Sequence, residues 1–285
     1  MECGAAGGLC RCRSVDQGAG TGVIVAAALI VAAPAAILLD GTPGQGAVLT
    51  GSVAPGATLQ LDGQPVAVAA DGRFLIAFDR DAGPAATLIA TLPDGQRIVR
   101  PLSVAARSWR IERLPTLPRE SQPSAEFQRR RAPELAQINA ARDRATDAQG
   151  WRQRFAWPVK GRISGLFGSQ RIYAGEPGAY HSGVDVARPT GTPVAAPADG
   201  VVILAASAPF TLEGNLLMID HGMGLNSAFL HLSRIDVKPG DHVRQGQVVG
   251  AIGATGRATG PHLHWGMKWH DARIDPLLLA GPMTP

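Results

Sequence analysis

All seven histidines of the 285-residue chain lie between residues 181 and 270, so imidazole chemistry is confined to the C-terminal part. Three short stretches hold the relevant residues. Gly260-Pro261-His262-Leu263-His264-Trp265-Gly266 sets two histidines around one leucine. In a strand, alternate side chains share a face, so His262 and His264 point the same way with Cα atoms about 6.6 Å apart, and Leu263 points into a core. One imidazole can then ligate a metal while its neighbour stands free to handle a proton. Pro261 suits a strand start, where its missing N–H costs little. His181-Ser182-Gly183-Val184-Asp185 places a histidine four residues before a carboxylate. In an extended strand these would be about 13 Å apart, too far to share one ion with bonds of about 2 Å. The chain must therefore bend at Ser182-Gly183, or Asp185 must begin a strand after a turn; glycine is consistent with the bend. In Phe229-Leu230-His231-Leu232-Ser233, two leucines expected to face the core flank His231, which turns the imidazole toward the site.

Each stretch alone is a weak signal; the ordered set is specific. HSGVD, FLHLS and TGPHLHWG, separated by GNLLMIDHGMG and VKPGDHVRQGQVVGAIGATGRATG, closely resemble the lysostaphin/LytM-type zinc metallo-endopeptidases, peptidoglycan peptidases of the duplicated-hybrid-motif fold. The resemblance runs from about Trp157 to Pro276 and leaves the first 156 residues uncovered. It implies that His181, Asp185 and His264 are zinc ligands, with water in the open fourth position expected of a catalytic zinc. It also implies that His262 and His231 are the non-ligand catalytic histidines. No HExxH occurs, so the usual glutamate base is missing and a histidine must accept the water's proton. His262 is assigned as general base, and His231 as the group that orients water or stabilises the oxyanion. The implied reaction is hydrolysis of peptide crosslinks or stem peptides of peptidoglycan, with one Zn2+ per chain. Gly165-Leu166-Phe167-Gly168 resembles the segment that opens such a domain. Gly165, Gly183, Gly256 and Gly260 fit tight turns around a groove. His221, His242 and His270 fall off the motif positions and read as turn and surface histidines. Many relatives carry Glu at the position of Gly266.

Three rival readings fit the sequence less well. APADGVV and VKPGDHVRQGQVVG echo a biotinyl- or lipoyl-carrier domain, but a carrier lysine belongs at a hairpin tip between the two echoes, and Lys268 follows both. A catalytically silent wall-binding module or amidase activator typically loses zinc ligands, and none is lost here. A structural zinc usually takes four protein ligands, often cysteines.

Elements must position these residues. Gly 35 and Pro 22, with few aromatics, favour short strands and turns over long helices. From about Trp157, the segments VVILAAS, NLLMIDHG, LNSAFLHLS, QVVGAIGA and HLHWGMKW are each bounded by Gly, Pro or Asp, which predicts an all-β, antiparallel catalytic domain over 157–285. Upstream, 46–106 alternates apolar and polar residues around Asp62-Gly63, Asp71-Gly72 and Asp94-Gly95, the signature of hairpins in a small β-sandwich. Between them, 107–156 reads as an Arg-rich, exposed helical linker, with Ser124 as cap, Pro133 as interruption and a thin stripe of Leu135 and Ile138.

Only three lysines stand among 27 basic residues, and the net charge is +4. The excess is local: Arg107–Arg154 holds 11 Arg against 6 Asp/Glu. Such a stretch can meet any polyanion or simply be a solvated helix face. With peptidoglycan implied as substrate, no nucleic-acid partner is expected. Cys3, Cys10 and Cys12 all precede the apolar run 22–39, so the remainder can form no disulfide and no cysteine zinc site. That uncharged run follows Arg11 and Arg13, and Ala33-Pro34-Ala35 offers a small-x-small cleavage site. Residues 1–45 are thus read as a signal peptide or an inner-membrane anchor, giving a periplasmic or cell-envelope protein within reach of cell-division or wall-synthesis partners.

Overall fold

The computed structural model describes residues 36–117 and 124–283. Most of the run 22–39 lies outside them. Its last residues enter a strand, β1 (Leu38–Asp40), paired antiparallel with β2 (Val48–Ser52), so folded structure begins ahead of residue 46. Among the described residues no helix is long and apolar enough to cross a membrane.

The N-terminal strands continue with β3 (Thr58–Leu61), β4 (Gln64–Val66), β5 (Arg73–Ala77), β6 (Ala85–Thr91) and β7 (Arg97–Ser103). They form two sheets, ordered β1-β2-β5 and β4-β3-β6-β7. The alternation in the sequence becomes alternation in burial: every second residue of β6 is buried, and Leu59, Phe74, Ile76 and Leu88 face inward. Asp62 and Gly63 both have positive φ, as a two-residue turn twisted to match its strands requires, and they join β3 to β4. The Asp94-Gly95 turn joins β6 to β7. Asp71-Gly72 leads into β5, which pairs with β2 across the sandwich instead of with β4.

The segment 107–156 is not an exposed linker throughout. β8 (Ile111–Leu114) pairs in parallel with β10 (Gln170–Tyr173), which also pairs with β11 (Glu176–Pro177). α1 (Ala125–Arg142) starts at Ser124, whose hydroxyl accepts from the Phe127 N–H at 3.1 Å. Pro133 does not interrupt it as expected: the helix runs unbroken from Ala125 to Arg142 with the proline inside. Only half of the expected stripe docks the helix: Ile138, joined by Ala141, is buried against Ile203, Phe210, Leu216 and Met218, while Leu135 stays exposed. Arg131 fixes the register with a two-pronged bond to Glu213, both contacts at 2.6 Å.

The largest sheet is built from β9 (Arg162–Gly165), β12 (Gly183–Ala187), β13 (Pro193–Ala195), β14 (Gly200–Ala205), β15 (Asn215–Asp220), β16 (Leu225–Ile235), β17 (His242–Val243), β18 (Val248–Ile252), β19 (His262–Trp269) and β20 (Ala272–Ile274). Its main path is β17-β14-β15-β16-β19-β12-β9, antiparallel at each step. Asp275 caps the short α2 (Pro276–Ala280) that follows. On β19, Leu263, Trp265, Met267 and Trp269 are buried on one face, while His262, His264 and Lys268 line the other. One apolar cluster runs from Ile37 through Trp265 to Ala280, so the sandwich and the large sheet share a core within the unit Ala35–Pro285.

Candidate metal centre

Cross-strand register brings Asp185 of β12 directly opposite His264 of β19, and both face away from the core. His181 lies just before β12. Two backbone bonds hold it against the 166–169 loop, from Gly168 N–H to His181 O and from His181 N–H to Ser169 O, each 2.8 Å. The expected bend at Ser182-Gly183 is not found: β12 begins at Gly183 with no turn after His181, and the two side chains lean toward each other to meet. Gly183 serves a different purpose from the expected turn: a Cβ there would lie 2.7 Å from His264 Nε2 and 2.5 Å from the Trp265 carbonyl. At Gly165 a Cβ would lie 2.3 Å from Asp185 Oδ2. Both glycines leave room for the cluster. Gly256, with φ +71, does sit at a turn.

Three ligand atoms converge. Asp185 Oδ1 lies 3.0 Å from His181 Nε2 and 2.9 Å from His264 Nδ1, and the two nitrogens are 3.0 Å apart. His181 Nδ1 is 3.1 Å from the Leu166 carbonyl, so it must be the protonated nitrogen of the neutral ring, and Nε2 presents a lone pair. Lone pairs facing a carboxylate at this range repel unless a cation or proton lies between them. The separations approach the roughly 3.3 Å edge of a tetrahedron with bonds of about 2 Å. The donor set of two imidazoles and one carboxylate therefore fits zinc, with a position left for a non-protein ligand. Among the described residues this is the one group of three that could hold a metal ion.

The local electrostatics agree. Burial pushes the Asp185 carboxyl up, but in the metal-free cluster a proton on the facing nitrogen of His181 or His264 outweighs it and holds the group well below the usual carboxylate range. Burial pulls His181 down; its bond to Asp185 reverses that and raises it. For His264, burial wins and its basicity is lowered despite Asp185.

His262 and His231 flank this cluster. His262 Nε2 is 3.9 Å from Asp185 Oδ1, and its Nδ1 donates to the Gly260 carbonyl at 2.8 Å. The His231 ring is centred 4.8 Å from that of His262, and its Nδ1 donates to the Thr255 carbonyl at 2.8 Å. In the neutral rings each Nε2 is an acceptor aimed at the site. Burial lowers His231, against the opposing pull of the Thr255 bond.

The route of His231 to the site differs from the expected one. Leu230 does not face the main core; it packs toward the small cluster under α1 and pairs with His264 on the groove face. By strict alternation His231 would then point away. A register shift opposite Asn215–Leu217 and a φ of +65 at His231 turn the ring back. Such a bulge re-aims one side chain, and a left-handed conformation outside glycine stores strain of about 1–3 kcal/mol.

His221 is buried, not at the surface as expected, with both ring nitrogens engaged inside the fold. His242 and His270 are exposed, and His270 follows β19 at a turn with φ +47. The carbonyls of Leu166, Thr255 and Gly260 fix three imidazoles, and sequence reasoning did not single them out. A carbonyl is common to every residue; the only signal was their place within one residue of a glycine or at one.

Comparison with known proteins follows the same region. The model of Peptidase family M23 matches residues 179–276. A crystal structure of a candidate peptidase M23 from Pseudomonas aeruginosa is 32% identical, covering 85% of this chain and 96% of that one, with a TM-score of 0.66. The peptidoglycan DD-endopeptidase ShyA of Vibrio cholerae serotype O1 is 44% identical over 114 residues, 40% of this chain and 26% of the relative. The DD-carboxypeptidase/endopeptidase Mpg of Neisseria meningitidis serogroup B is 40% identical over 124 residues, 44% of this chain and 28% of the relative. The matched region thus spans about a quarter of these two curated relatives.

Proposed function

The chain belongs to peptidase family M23, and from that premise we propose that it is a zinc-dependent endopeptidase that hydrolyses peptide bonds in peptidoglycan crosslinks or stems. The observation that carries this reading is the pair of acceptor nitrogens, His262 Nε2 and His231 Nε2, set beside three converging ligand atoms. A purely structural or silent site has no use for the two spare imidazoles.

His181, Asp185 and His264 would hold the zinc. When bound, zinc supplies a Lewis acid that acidifies a water and polarises the scissile carbonyl. His262, with Nδ1–H committed to Gly260, accepts the proton of the attacking water at Nε2 and later delivers it to the leaving amine. His231, with Nδ1–H committed to Thr255, can only accept at Nε2 while neutral. It therefore suits orienting the water better than donating to an oxyanion. Leu166, through its carbonyl, fixes the tautomer and ring angle of His181. A peptidoglycan substrate places the work in the cell envelope, which accords with export through the 22–39 run.

The test is direct. Zinc content of the purified full chain is measured alongside release of muropeptides from isolated peptidoglycan. About one zinc per chain and chelator-sensitive release support the reading. Zinc without release moves it to a wall-binding module or an amidase activator.

A further inference from the structure

The metal-facing side of β19 does not end at His264. Four residues on, about 13 Å along the strand, Lys268 points from the same face, and Arg273 of β20 is its cross-strand partner. Arg142, at the last turn of α1, closes over them. The three line one end of a cavity of about 210 Å3, and His264 lines the other. Gly266 forms the floor between the two ends. A Cβ there would meet nothing closer than 3.5 Å and its φ is not positive, so neither packing nor conformation demands glycine; the missing side chain keeps the floor open.

The charge at this end is poorly balanced. The Arg142 Nε is buried without a hydrogen-bond partner. Lys268 Nζ has one carboxylate nearby, Asp271 at 3.6 Å, whose side chain is fully exposed. Glu213, also on the cavity wall, is committed to Arg131. Burial lowers both Arg142 and Lys268, and repulsion adds to it, from Arg273 on Arg142 and from Arg142 on Lys268; Glu213 and Asp271 offset this only in part. Arg142 and Lys268 are half-buried without full compensation, which is costly and calls for an anionic partner, while Arg273 is exposed at the rim, 5.3 Å from the Tyr180 ring centroid.

We propose that this cavity is a carboxylate-binding subsite. It holds an acid group of the peptide substrate between Arg142, Lys268 and Arg273 while the peptide backbone runs along β19 to the reacting centre. An extended peptide covers the distance in three to four residues, at roughly 3.3–3.6 Å each. The assignment rests on the endopeptidase reading for the identity of the ligand, since peptidoglycan stems are acidic peptides; the cationic pocket itself does not.

Two crosslinked peptides of identical sequence are compared, one with free side-chain and α-carboxylates and one with them amidated. KM for each is measured with the zinc-loaded full chain and with its K268Q, R142Q and K268R variants. The wild type is expected to show a KM at least tenfold lower for the acid. In K268Q and R142Q the ratio falls toward one, and K268R keeps most of it. Equal KM values in the wild type, or an unchanged ratio in both glutamine variants, overturn the proposal. If the wild type cleaves neither peptide, the endopeptidase reading has failed, and calorimetric binding of the same peptides decides the subsite. Tighter binding of the acid that is lost in K268Q supports it; equal binding of acid and amide sinks it. Thermal melts identify any variant that has lost its fold, and either glutamine variant alone carries the comparison.

Discussion

His264 and His221 stand on the same sheet and serve opposite ends. His221 Nδ1 donates to the Asp199 carbonyl and its Nε2 accepts from the Ser227 hydroxyl, at 2.8 Å each, and Phe155 meets its ring edge-on at 4.9 Å. Nothing of it is left for a ligand. His264 directs Nδ1 at a point shared with His181 Nε2 and Asp185 Oδ1, where no donor of the chain satisfies all three. Burial alone does not separate a structural histidine from a chemical one. What separates them is whether the fold itself saturates both nitrogens.

The largest consequence is at the cluster. His264→Ala removes one of three ligands and should abolish stoichiometric zinc binding. It should also reduce cleavage by at least about 10³-fold, since the Lewis acid contributes several kcal/mol to the transition state. Metal analysis and muropeptide release report both effects. His262→Ala should cost about 10²–10⁴-fold in kcat through loss of the proton acceptor, with zinc retained. Zinc loss in that variant would erase the distinction between ligand and base.

The other side of the comparison is a stability effect. Burial pushes His221 down to about 4 from 6.5, so the unfolded chain is the better proton binder between those values. Stability from this residue is complete above pH 6.5 and is lost as pH falls toward 4, by up to about 3 kcal/mol. Urea melts of chelator-treated protein at pH 7 and 4.5 should show this loss, and His221→Gln should show a smaller one. Equal acid sensitivity in both would mean that the ring is not held neutral.

The central strand of the site was legible in the sequence because β19 alternates, and alternation alone puts His262 and His264 on one face. The distance between His181 and Asp185 in the sequence suggested a bend at Ser182-Gly183, but the strand starts at Gly183 and the side chains close the gap instead. The path of His231 was not legible: a bulge opposite Asn215–Leu217 reverses its face, and FLHLS contains no glycine to mark it. The docking of α1 was also hidden. Two buried residues and the Arg131–Glu213 pair hold it, a stripe too thin to stand out from a solvated helix. Gly165 and Gly183 were visible as glycines, but close approach and a turn look alike until the neighbouring strand is in place.

The smallest expected effect links the two halves of the chain. Arg80, from the N-terminal sandwich, is 5% exposed and reaches the loop against which the first metal-facing histidine is held. Its Nε donates to the Gly168 carbonyl at 3.1 Å and its Nη2 to Gln170 Oε1 at 3.0 Å, while Gly168 N–H donates to the His181 carbonyl. The guanidinium also stacks over Tyr180, 4.7 Å from the ring centroid. Arg80→Met keeps the bulk and removes the fork. Chelator competition should then show zinc affinity weakened by about tenfold, the low end for a residue that orients a ligand from behind. Arg80→Lys should restore little, because one ammonium cannot serve two acceptors and a ring at once. An unchanged affinity beside a lowered melting temperature would mean that the sandwich supports the sheet without tuning the metal. A weakened affinity would make the N-terminal strands part of the site they never touch.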